Sequence, residues 1–163
     1  MTEDGNRLLR YAVRDLGVIS LAVLAWIFLA PLSAGAGWVA DLSGWVAGLL
    51  VAASGSVLHE WGHLLAALAA RSDVAINKRL GTGFTFRFEP SNPLGSFVAM
   101  SLGGLLTTAV LVAASYTVLP DGLLASRVAR GGLLFLATLG VVLELPLLLT
   151  GLVQRRTPPP AAV

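Results

Sequence analysis

Four runs of nearly uninterrupted apolar residues, parted by short polar stretches, set the pattern of this chain. They cover about Leu16–Leu32, Gly44–Ala70, Phe97–Leu119 and Gly131–Val153. Roughly 20 apolar residues cross the hydrocarbon of a bilayer as a helix, so each run predicts a transmembrane helix. A polar arm, Met1–Asp15, precedes the first run and carries Arg7, Arg10 and Arg14. The arm, the first run and the small residues Ser33-Ala34-Gly35-Ala36 also fit a signal peptide cleaved after Ala36. An uncleaved anchor needs no extra assumption.

One stretch alternates with period two instead. After Gly81-Thr82-Gly83, the residues Phe84, Phe86 and Phe88 share one face and Thr85, Arg87 and Glu89 the other, up to Pro90. This predicts a strand between the second and third helices. Such a strand could dip its phenylalanines into the headgroup boundary, or offer an open edge to an unwound substrate segment. It could equally be a hairpin that only closes the loop. The expected fold is an all-α polytopic membrane protein: about four transmembrane helices with a short cytoplasmic strand or hairpin between helices two and three. One membrane-embedded domain spans residues 1–153, and a Pro- and Ala-rich tail, 154–163, is expected to be disordered and cytoplasmic.

Composition sharpens this. Of 163 residues, 56% are hydrophobic and 12% charged, about half the charged share of a soluble domain. There is no cysteine, which excludes disulfides, a thiolate nucleophile and thiolate metal ligands. Net charge is only +2, and the arginines stand at segment ends, which suits headgroups and topology rather than nucleic acid. Nine Lys and Arg lie in the N-terminal arm, the 71–95 connection and the C-terminal end. Only Arg127 and Arg130 lie in the other connections. The bias predicts both termini and the 71–95 connection in the cytoplasm, in the plasma (inner) membrane.

Within Leu49–Ala70 the only ionisable side chains are His59, Glu60 and His63. Such groups are costly in hydrocarbon and are functional suspects by default. Histidines four apart on a helix share a face, which suits one Zn²⁺ held by two ring nitrogens. Glu60 is placed to accept a proton from an attacking water. Core imidazoles bonded to other helices are the plainer alternative. His63 lies eight residues before Arg71, roughly 12 Å along a helix, a depth that water reaches through a cleft. Gly55, His59, Gly62, His63, Ala66 and Ala70 form one small-residue stripe on which helices can pack closely.

A third ligand must be a carboxylate. After the histidines the chain offers Asp73, Glu89, Asp121 and Glu144, and only Glu144 lies inside a predicted span. It lies eleven residues before Arg155, as His59 lies twelve and His63 eight before Arg71, so all three reach similar depth. Pro146 leaves the carbonyl of Val142 without its usual donor and should bend the helix there. His59, His63 and Glu144 would leave a fourth position open, as in catalytic zinc sites. A protonated Glu144 bonded across helices is the alternative.

The stretch Leu58-His59-Glu60-Trp61-Gly62-His63-Leu64-Leu65-Ala66-Ala67, the strand region after it, and Ser101-Leu102-Gly103-Gly104 resemble the site-2 protease family of intramembrane zinc metalloproteases. The resemblance covers roughly residues 44 to 151, and only its first motif is specific. It implies a zinc metalloendopeptidase that cuts a protein in or near a transmembrane segment, with His59 and His63 as ligands and Glu60 as general base. Two departures stand out. Gly103-Gly104 lacks the family's Pro, with Thr107 or Thr108 as the nearest polar partner. Where the family carries an Asp-Gly pair after a Pro, this chain reads Pro146-Leu147-Leu148-Leu149-Thr150-Gly151. The reading is an intramembrane protease acting on a transmembrane protein substrate in the bilayer, with selection supplied by a regulatory membrane partner or by the bundle itself. The alternative is a non-catalytic zinc-binding membrane regulator that keeps the bundle.

Overall fold

The computed structural model describes residues 3–77, 86–89 and 91–157. Four helices, α1 (Glu3–Leu29), α2 (Trp38–Ala69), α3 (Leu94–Val118) and α4 (Leu124–Gln154), are long and apolar enough to cross a membrane. A 3-10 turn, Pro31–Ala34, follows α1. Between α2 and α3 lie two short antiparallel strands, β1 (Val74–Ile76) and β2 (Phe86–Phe88), with Val74 opposite Phe88 and Ile76 opposite Phe86. The chain is built as a membrane protein. Large apolar side chains such as Phe28, Val110 and Phe135 point outward along the helices, the reverse of what water favours.

The polar arm is not a separate arm. Helix α1 starts at Glu3, where two acidic residues in the first turn favour its N-terminus. Arg7 reaches back to both, pairing with Glu3 and with Asp4 at 3.0 Å. These are one-turn pairs that support a helix.

By its contacts the chain falls into two compact units. One comprises Val13–Leu58 and Thr108–Thr138. Its core holds Ala30, Ala47 and Ala125, with Trp26, Leu29 and Leu123 packed around them. Here α2 and α4 meet through small residues. A Cβ on Gly48 would lie 2.6 Å from the Val128 side chain and 2.7 Å from the Ala125 carbonyl. Such contact is how helices associate where water exclusion gives no drive. Arg130 closes the α3–α4 turn. Its guanidinium donates to the carbonyls of Leu119 (2.7 Å) and Ser115 (3.2 Å) and pairs with Asp121 at 2.7 Å.

The other unit comprises Met1–Ala12, His59–Thr107 and Leu139–Val163. Leu64, Ala67 and Phe86 form its core, flanked by Leu8, Trp61, Val74, Ile76, Phe88 and Met100. The strand therefore turns its aromatic face inward. Phe86 is buried against α2, and Phe88 lies 6.1 Å from the ring of Phe97. For Phe86 this sets aside the possibility of a ring dipping into the headgroup layer: Leu64 and Ala67 cover it instead. Phe84 and Thr85 lie outside the described residues.

Asn92 joins the segments of this unit. Its amide exchanges hydrogen bonds with the backbone of Asp73, accepting from N–H at 2.7 Å and donating to C=O at 2.8 Å. It also donates to the Glu89 carbonyl, and its own carbonyl accepts the Thr157 hydroxyl at 2.8 Å. The side chain thus extends the two-stranded ladder by one rung, and the backbone carbonyl ties the segment after α4 to it. Helices α2 and α4 both end on an arginine in the left-handed region, Arg71 (φ 54) and Arg155 (φ 51). Each end is closed by a pair of backbone bonds that return to the last turn. Of the expected tail, residues 154–157 form this helix end, and 158–163 lie outside the described residues.

Candidate metal centre

Helix α2 carries His59 and His63 on one face, and α4 brings Glu144 to them across 85 positions of sequence. His59 Nε2 stands 2.8 Å from Glu144 Oε1, His63 Nε2 stands 3.4 Å from Glu144 Oε2, and the two Nε2 atoms are 3.0 Å apart. The imidazoles meet edge-on at 86°, with their Nε2 atoms facing each other and their Nδ1 atoms turned away. All three ligand atoms lie within 4.8 Å of one another, a group that could hold a metal ion. Glu144, singled out because it alone lies within a predicted span, is the residue that completes it. Helix α4 runs unbroken through Pro146.

The protons are assigned by the far side of each ring. His59 Nδ1 lies 3.0 Å from the Gly104 carbonyl, and His63 Nδ1 lies 2.8 Å from the Met100 carbonyl. A carbonyl only accepts, so both Nδ1 atoms carry hydrogen and donate. In neutral rings both Nε2 atoms then present lone pairs, to each other and to a carboxylate. Glu144 Oε2 is buried and has no hydrogen-bond partner among the described residues. Lone pairs at such distances repel unless a cation or a proton lies between them. Two atoms bound about 2.05 Å from a tetrahedral zinc stand about 3.3 Å apart. The 3.0 Å between the two Nε2 atoms and the 2.8 and 3.4 Å from them to the two oxygens of Glu144 are close to that spacing, so the donor set fits a small divalent cation. A ring nitrogen fixed by an outer carbonyl is also the usual support of a metal-bound histidine.

The site is enclosed but not sealed. The side chains of His59, His63 and Glu144 keep 15%, 13% and 25% of their exposure, enough for a small molecule to touch them. Glu60 is half-buried on the same turn and acts electrostatically on His63.

Helix α3 comes very close to α2 here. A Cβ on Gly62 would lie 2.7 Å from the Gly103 carbonyl, and one on Gly104 would overlap the His63 ring. The small-residue stripe is therefore a real contact surface, with Gly62 and Ala66 against Gly103. Thr107 is not a partner of the cluster. Its hydroxyl donates to the Gly103 carbonyl of its own helix at 2.8 Å. The carbonyls of Met100 and Gly104 carry no side-chain signature and were not legible in the sequence. Only the Gly103-Gly104 pair marked the place.

No protein-family model matches the chain, and neither the curated proteins nor the solved structures contain a match.

Proposed function

We propose that this chain is an intramembrane zinc metallopeptidase that hydrolyses a peptide bond in or near a transmembrane segment of another protein. One observation carries the reading: His59, His63 and Glu144, on two helices, bring their ligand atoms within 4.8 Å of one another in an apolar span, with each imidazole Nδ1 hydrogen directed to a backbone carbonyl. Ion binding offsets the cost of burying them there. His59, His63 and Glu144 would hold the metal. A bound zinc ion supplies Lewis acidity, polarising a carbonyl and acidifying water. Glu60 accepts the proton of the attacking water and returns it to the leaving amine. Three protein ligands rather than four are the mark of a site that works on substrate. The likeness of the His59–His63 segment to site-2 proteases supports the same chemistry. A zinc-binding regulator without catalysis would share the cluster, and the missing carboxylate between Pro146 and Gly151 favours it to that extent.

The first test is metal content. Protein purified from membranes should hold close to one zinc per chain, and His59→Ala/His63→Ala should hold almost none. Equal zinc in both would end the metal reading.

The orientation proposed for this reading, with both termini and the hairpin in the cytoplasm, rests on the arginine bias. Arg130 weakens the contrary count, because its charge is spent on the end of α3 and on Asp121. Single cysteines replacing the exposed Ala36 or Asp121 should react with an impermeant thiol reagent added outside cells. Cysteines replacing Ala75 or Arg155 should be shielded. No native thiol competes. Outside labelling at position 75 would invert the topology.

A further inference from the structure

We infer that Gly104 is a positioning residue of the metal centre that acts on both histidines at once. The inference rests on the metal-binding reading above. Its carbonyl accepts the His59 Nδ1 hydrogen at 3.0 Å and so leaves Nε2 as the ligating nitrogen. Its missing side chain does the second job. A Cβ at this position would overlap the His63 ring, with Nε2 and Cε1 nearest and Cδ2 at 2.6 Å. The nearest atom is the ligating nitrogen itself, so any side chain at 104 displaces the donor from the cluster.

The two adjacent glycines divide the work. Gly103 faces Ala66 and the Gly62 backbone, so it sets how closely α3 approaches α2. Gly104 faces imidazole and serves the site. A third glycine, Gly140, gives the contrast. It too borders the cluster, from α4, but a Cβ there would find Leu105 at 3.3 Å, Glu144 Oε1 at 3.7 Å and His59 Cε1 at 3.9 Å. These are contacts that a methyl group can make with little adjustment.

The test is zinc affinity, measured on purified full-length protein by competition with a chromophoric chelator. Outer-shell supports of metal-bound histidines typically contribute about 10- to 100-fold in affinity. Gly104→Ala should lose at least about that much, and Gly140→Ala should stay within about threefold of the parent, well below that range. Cobalt(II) loaded in place of zinc should show altered visible bands in Gly104→Ala and unaltered bands in Gly140→Ala. In a His63→Ala background, which removes the overlapping ring, Gly104→Ala should lower the residual zinc affinity no further.

If Gly104→Ala binds zinc like the parent, the inference is wrong. An equal loss with and without His63 also overturns it, because the effect then runs through helix packing. Should Gly104→Ala fail to fold, folding restored by adding His63→Ala supports the ring contact, and failure of the double variant overturns it. A parent protein that binds no zinc fails the metal reading and takes this inference with it.

Discussion

Glu60→Gln should leave zinc bound and reduce cleavage of a co-expressed transmembrane substrate by about 10²- to 10⁴-fold, the usual contribution of a positioned general base. Glu60 is not one of the three converging donors, so metal content should not change. The amide keeps the size of the side chain and can still hold a water, but it cannot accept a proton from it. Zinc assay and substrate cleavage on the same preparation check both halves. Cleavage at the parent rate would remove Glu60 from the mechanism and with it the protease reading. Full zinc with no cleavage by either protein, across substrates, would favour the regulator.

Glu144→Ala should lower zinc affinity by more than about 100-fold, since even outer-shell partners of a ligand contribute up to that, and should abolish cleavage. Glu144→Asp keeps the charge but withdraws it by one methylene, so it should keep part of both properties. Glu144→Gln separates metal loss from misfolding. Its amide can donate to His59 Nε2, which lies 2.8 Å from Oε1, and so satisfy a lone pair that otherwise faces a carboxylate. The glutamine variant should therefore melt at or above the temperature of the zinc-free parent while binding little zinc. Full zinc occupancy in Glu144→Ala would show that Glu144 is no ligand.

The sequence made the three later helices legible because lipid imposes a length and a composition on any span. It left α1 half-read. Glu3, Asp4 and Arg7 look like a polar tail until their one-turn spacing is seen to close a helix. Strand β1 has no signature in the sequence because Val74-Ala75-Ile76 is too short to show alternation. The inward turn of Phe86 depends on Leu64 and Ala67, which are distant in sequence. At the site, His59, His63 and Glu144 stood out because each is expensive in an apolar run. The groups that orient them did not, since a backbone carbonyl looks alike at every position. Asn92 leaves no mark in the sequence for a related reason. Its value lies in pairing with Asp73, and nothing local announces that.

The spacing of the carbonyls that hold the histidines has a mechanical consequence. His59 pairs with Gly104 and His63 with Met100, so two groups one turn apart on α2 meet two groups one turn apart on α3. Sliding α3 by one residue moves its carbonyls about 1.5 Å and turns them about 100°, which breaks both bonds together. A slide of a full turn restores the phase, but it sets Ala99 or Thr107 where Gly103 now meets Gly62, and a Cβ has no room there. The two helices are keyed to a single register. Shear of α3 along α2 is blocked in both directions, so on the protease reading proposed above any opening between these two helices would be a separation rather than a slide.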